Sequence, residues 1–408
     1  MQQIFRDFIS IFPGIESFLQ MEPQMAVARI FLILLGLFLC YLGYKKILDP
    51  LLMIPMGAGI AMVNAGILFM PNTGELGTMF LNALVETPEQ HIDAFQIYFL
   101  QPIYALTFSN GLIACLVFIG IGSITELDFF IANPKMSLLL AIPAELGSIL
   151  TFPIALCMGF TPSESASISI IGGADGPMVL FASLQLARHL FVPITIVAYI
   201  YLSIIYAGYP FMIRYMVPKS MRAVAMTDFY VKKVSSGEKI AFSIVTGTVL
   251  CLLFPVASPL FASFFLGVII RESKISRFIN VSDDVILSGS TLFLGFTLGC
   301  LLSADIVVDE KMFKLIILGF IALFLSGIGG ILGGLIAYKV SNGRINPVLG
   351  VAGVSCIPTT AKVAHKSAHE VNPNAYIMPF AMGPSIAGVI TSAIIAACYI
   401  TMVPRFVF

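Results

Sequence analysis

Ser165-Ala166-Ser167-Ile168-Ser169-Ile170-Ile171-Gly172-Gly173-Ala174-Asp175-Gly176-Pro177 is a stretch that no continuous helix can hold. Three glycines and a proline fall within its last six residues. Glycine admits left-handed backbone, and Pro177 leaves an upstream carbonyl without its donor. The flanks, Ile168–Ile171 and Met178–Leu184, are apolar, which argues against a surface loop and places the break at membrane depth. Unwound backbone at that depth is tolerated only where it is buried in protein or lines a wet cavity. Asp175 sits in the middle, where a carboxylate is costly and usually functional. The freed carbonyls, that of Gly173 among them, and the one carboxylate make an oxygen cage suited to a hard cation.

Working outward, a second break follows at Asn346-Pro347-Val348-Leu349-Gly350-Val351-Ala352-Gly353-Val354-Ser355-Cys356-Ile357-Pro358-Thr359-Thr360-Ala361-Lys362. It again joins Pro and Gly to neutral oxygen ligands: the Asn346 amide and the Ser355, Thr359 and Thr360 hydroxyls. One carboxylate among neutral oxygens suits a monovalent ion better than calcium. Lys362 lies one turn beyond the break and reads either as a snorkelling interface lysine or as a charge that meets a substrate. Met382-Gly383-Pro384-Ser385 adds a third irregular piece and another hydroxyl.

The rest of the chain is a membrane protein's. Of 408 residues, 58% are hydrophobic and only 11% charged, against about 25% charged in a soluble domain. Val27–Tyr44, Leu51–Met70, Leu138–Phe160, Ile194–Met216 and Leu315–Tyr338 approach or exceed the ~20 residues a spanning helix needs. The expected fold is all-α and polytopic, with about 10–11 membrane segments. Residues 1–25 read as an interfacial segment, 26–217 as a first membrane half with its broken helix at 165–187, 218–239 as a cytoplasmic loop, and 240–408 as a second half with its broken helix at 346–364. Net charge is zero, so nothing points to nucleic acid. The seven cysteines are dispersed without a CxxC pair and read as small buried hydrophobes. His365 and His369 could share a helix face, but no third ligand follows at zinc spacing. No Walker A motif supplies an ATP drive, and no Met-Lys-Met sequence offers a biotin attachment site on this chain.

Charge bias orients the segments. The loop 71–95 carries Glu75, Glu86, Glu89 and Asp93 without Lys or Arg, whereas 214–239 carries Arg214, Lys219, Arg222, Lys232, Lys233 and Lys239. The positive-inside rule makes the first external and the second cytoplasmic, together with Arg271/Lys274/Arg277 and Lys339–Arg344. Under this topology the helix before Asp128 runs inward and the helix before Asp305 runs outward. The surroundings of Asp128 and Asp305 are similar, as are Ile171–Pro177 and Ala352–Pro358. These parallels predict two inverted repeats with discontinuous helices at the ion site, the architecture of secondary transporters. On these features alone, a sodium-coupled symporter for an organic anion is an equal reading.

Three stretches separate the readings. Gly172–Pro177, Asn346–Ser355 and Asn372–Gly388 resemble the β subunits of biotin-dependent, sodium-translocating decarboxylases acting on oxaloacetate, methylmalonyl-CoA, glutaconyl-CoA or malonate, and the similarity runs from Asp49 to the C-terminus. The resemblance implies a membrane subunit that decarboxylates carboxybiotin and couples the reaction to outward Na⁺ transport with proton uptake. It implies that Asp175 holds Na⁺ and the counter-moving proton, and that Asn346, Gly350 and Ser355 shape the ion path; Gly173, Thr359 and Ser385 are candidate oxygen ligands from the breaks themselves. The implied partners are a biotin-carrier subunit, a carboxyltransferase subunit and a small membrane anchor, with a homo-oligomer inside the complex. Two departures stand out: Lys362 where the family commonly has Arg, and Ser385 where it commonly has Asn. Lysine keeps the charge but loses the bidentate fork for a carboxylate.

Overall fold

The structure is a computed structural model and describes residues 11–70, 76–82, 94–226, 233–304, 306 and 310–406. Asp305, the acidic residues of the loop 71–95 and the first ten residues of the interfacial segment lie outside these residues. The fold is α-helical as expected; the sheet among the described residues is one two-stranded antiparallel ribbon, Ile67–Phe69 with Leu76–Thr78. Eight of the described helices are long and apolar enough to cross a membrane, or nine with the bent pair Gln101–Phe108 and Leu112–Ile124. The difference from ten or eleven segments lies in short elements. Pro50–Ala65 has 16 residues, and both glycine-rich breaks divide their segments into pieces of 11 residues or fewer.

The chain forms two compact units. The first comprises Met1–Leu112 with Thr291–Phe313. Here Pro23–Tyr44 and Pro50–Ala65 approach so closely that a Cβ on Gly36 would strike the Gly57 backbone, the small-residue contact that membrane helices use in place of hydrophobic drive. Arg29 is buried and donates to the carbonyls of Asn64, Ala65 and Ile67 and to the Ser17 hydroxyl, with its guanidinium over the Phe18 ring. It therefore clips the unit together.

The second unit comprises Ile113–Ser290 with Lys314–Phe408 and holds both breaks. The apolar run 240–270 is two spans, Ser236–Leu253 and Pro255–Glu272. Pro255 and Pro259 turn the chain back, so that Lys239 at the start of one span meets Glu272 at the end of the next, 3.1 Å apart. This pairing brings Lys239 and Arg271 to the same end of the two spans. Lys239 also donates to Asp128 at 2.7 Å, and the Val234 N–H donates to the same carboxylate at 2.8 Å. Burial works against an ionised Asp128, but these donors and the charges of Lys239 and Lys233 outweigh it and hold its pKa below the ordinary carboxylate value.

Each broken stretch is a re-entrant hairpin. The first runs from Pro162–Ser169 through the break to Gly176–Leu186. Its mouth is closed by Glu164 and His189, 2.8 Å apart, and Thr161 with Glu164 forms a capping box at its start. The second runs from Asn346 to Asn372, and both ends tie to one backbone segment: Asn346 donates to the Arg222 and Val224 carbonyls, Asn372 to the Ala223 carbonyl. Arg214 and Glu370 add an ion pair at 2.9 Å. Between the two mouths runs the helix Phe191–Met216, whose 26 residues span about 39 Å. The hairpins thus enter from opposite faces, the second from the face of the basic loop.

Candidate functional site

The tip of the first hairpin forms as its sequence demands. Helix gives way to a tight turn at Ile170–Gly173, Ala174 is left-handed at φ 55°, Asp175 is extended, and a new helix starts at Gly176. No side chain fits at Gly172, because a Cβ there would overlap the Gly147 and Ser148 backbone. The Gly172 carbonyl, released by the break, accepts from the Ser326 hydroxyl. Asp175 caps the new helix through the Met178 N–H at 3.3 Å, so its carboxylate lies against the positive end of a helix dipole.

The second hairpin brings Ser355 to the same point. Its hydroxyl donates to the other Asp175 oxygen at 3.2 Å. Both residues are buried, so the two tips meet at a carboxylate and a hydroxyl contributed by sequence-distant breaks. Thr359, half-buried, opens the returning helix Thr359–His369 beside this tip.

The other sequence-predicted residues support the hairpins rather than touch Asp175. The Asn346 amide is occupied on both sides, donating to the Arg222 and Val224 carbonyls and accepting from the Val348 N–H at 3.0 Å. Gly350 lies against Gly330 and Gly334 of the long helix Glu310–Val340, where a Cβ would collide with backbone. Ser385 donates to the Ala352 carbonyl at 2.8 Å and so anchors the second hairpin's first arm. Lys362 is exposed on the returning arm. The His365 and His369 rings lie 5.6 Å apart and tilted, with Tyr376 edge-on to His365, and no metal-holding group of three occurs among the described residues.

Two residues escaped the sequence reading. Tyr199 of Phe191–Met216 places its ring against Gly176, and its buried hydroxyl has no hydrogen-bond partner. Glu145, in Pro134–Cys157, is buried and accepts from Ser392 at 2.6 Å, Ser148 at 2.9 Å and Thr391 at 3.1 Å. The signal for Glu145 was available: a carboxylate inside an apolar span is costly wherever it occurs.

A membrane protein whose two opposed hairpins meet at a buried carboxylate belongs to the class that moves a small cation across the bilayer. Residues 28–403 match the family described as Na⁺-transporting oxaloacetate decarboxylase beta subunit, and the chain belongs to that family. The chain is 49% identical to a carboxybiotin decarboxylase of Malonomonas rubra over 96% of its own length and 98% of the relative's. It is 32% identical to the methylmalonyl-CoA decarboxylase subunit beta of Veillonella parvula, covering 91% and 92% of the two chains. Against the oxaloacetate decarboxylase beta chain 2 of Salmonella typhi it is 29% identical, covering 91% and 94%.

Proposed function

We propose that this chain decarboxylates carboxybiotin presented at the face of the basic loop and couples that reaction to outward Na⁺ transport. The observation that carries the reading is Asp175, buried where the two hairpin tips meet, in a chain of this family. Decarboxylation of carboxybiotin breaks the N–CO₂⁻ bond, releases CO₂ and requires one proton on the biotin nitrogen. A carboxylate that holds either Na⁺ or H⁺ links the two movements by mutual exclusion. Asp175, the Gly173 carbonyl and the Ser355 and Thr359 hydroxyls are the proposed cation ligands. Asn346, Gly350 and Ser385 hold the second tip in place, and Lys362 attracts the substrate carboxylate. The biotin belongs to a separate carrier subunit, which together with a carboxyltransferase subunit and a small membrane anchor completes the proposed complex. Within it this chain is proposed to be a homo-oligomer and to carry the inverted repeat that the opposed hairpins suggest.

Sodium is expected to protect the purified chain. A ligand that binds only the folded state stabilises it by about 2.7 kcal/mol at a hundredfold excess over Kd. The thermal midpoint in detergent should rise with sodium and much less with potassium. Equal shifts for the two ions, or none, would count against a selective sodium site. Avidin should also retain the native complex through its carrier; a complex without a biotinylated polypeptide would return the symporter reading.

Lys362 gives a separate test of geometry. Because the second hairpin opens beside residues 222–224, a Lys362→Cys variant lacking the seven native cysteines should react with an impermeant thiol reagent from the basic-loop face. Lys362→Ala should raise the apparent KM for carboxybiotin more than that for sodium, and Lys362→Arg should retain activity. Labelling from the opposite face alone would return Lys362 to an interface anchor.

A further inference from the structure

Glu145 has no assigned role, and its surroundings are unusual for a structural carboxyl. Three hydroxyls from two elements converge on it: Ser148 on one carboxylate oxygen, Ser392 and Thr391 on the other. No Lys, Arg or His among the described residues lies within ion-pair distance of Glu145 or Asp175. Buried charges are ordinarily paired or coordinate metals. The cluster also adjoins the first break. A Cβ built on Gly173 would lie 2.8 Å from the Ser392 hydroxyl oxygen and 3.5 Å from that of Ser148. The hydroxyls around Glu145 thus abut Gly173, two residues before Asp175, whose carboxylate is held by Ser355. Close to Asp175, the buried Tyr199 hydroxyl still lacks a partner.

We infer that Glu145, with the hydroxyls of Ser148, Thr391 and Ser392, forms a second site for a monovalent alkali cation beside Gly173 of the first break. A hydroxyl that donates to a carboxylate in the empty site can rotate and offer its lone pairs to an ion. One carboxylate and three neutral oxygens balance a single positive charge; a divalent ion would leave an uncompensated charge in the protein interior.

This inference rests on the sodium-transport reading, and equilibrium binding of ²²Na⁺ separates the two. The full chain with its partner subunits should bind two sodium ions per copy at saturation. Asp175→Asn and Glu145→Gln should each bind one. If Glu145→Gln binds as many as the unmodified protein, the second site is overturned; if Asp175→Asn alone loses nothing, the first reading fails and the Glu145 site stands. Ser392→Ala keeps the charge and guards against a Glu145→Gln variant that does not fold. It should weaken one of the two sites roughly threefold to tenfold, the worth of one hydrogen-bonding group. Unchanged affinities in Ser392→Ala would mean that the hydroxyls serve the helix packing only.

Discussion

Asp175→Asn is expected to abolish both sodium transport and carboxybiotin decarboxylation while leaving the protein inserted and folded. Asparagine matches the carboxylate in size and can still accept from the Met178 N–H and the Ser355 hydroxyl, so the helix cap and the contact between the tips persist. What disappears is the negative charge, and with it the ability to hold either Na⁺ or an exchangeable proton. Removal of one well-placed electrostatic group from a buried site costs on the order of a hundredfold or more in rate. Here both activities should fall together, because one group serves both. The measurements are ²²Na⁺ uptake into inside-out proteoliposomes and CO₂ release from carboxybiotin, with size-exclusion behaviour as the folding control. Normal pumping by Asp175→Asn would sink the assignment. Loss of transport with decarboxylation intact would show that the two steps are not linked at this residue.

The second large effect concerns stability. Lys239→Met should destabilise the chain by about 3–5 kcal/mol, the cost of removing one partner from a buried ion pair. Lys239 is the shared partner of Asp128 and Glu272, and the Lys239 and Glu272 side chains are only 10% and 8% exposed. The substitution leaves Glu272 buried without its counter-ion and unties the start of Ser236–Leu253 from the end of Pro255–Glu272. The thermal midpoint in detergent should fall clearly, and a triple variant that adds Asp128→Asn and Glu272→Gln should recover much of the loss. A midpoint unchanged in Lys239→Met would show that the network is replaced by water. The pH dependence has a defined sign. Asp128 has a lowered pKa in the folded state, so its contribution is fully present above the ordinary carboxylate pKa and fades as pH falls through the lowered value. The unmodified protein should therefore lose stability in acid, and Asp128→Asn should show less of that loss.

The chain's own sequence determined the solvent, the fold class and the first of the two breaks that frame the candidate site. Its apolar runs and scarce charge require a bilayer, because so little polar surface cannot face water. Gly172, Gly173, Gly176 and Pro177 exclude a continuous helix for steric reasons that hold in any tertiary context, and so they place Asp175 at a break. The second break, from Asn346 to Lys362, was legible on the same grounds. The tertiary structure alone decided how these pieces meet. That both breaks are hairpins follows from Glu164 against His189 and from Asn346 and Asn372 sharing residues 222–224. Hydropathy is blind to this, since a re-entrant hairpin and a broken span have the same composition. It also divided the oxygens of the second motif: Ser355 reaches Asp175, while the amide of Asn346 is consumed by backbone. Residue type gives a ligand's chemistry but not its direction, which packing fixes. Glu145 shows the same limit. Its hydroxyl partners Thr391 and Ser392 lie about 250 residues away in the chain, and no local pattern connects them. Local backbone sterics are written in neighbouring residues, whereas a binding site is a coincidence of distant ones, and only the packed helices bring it about.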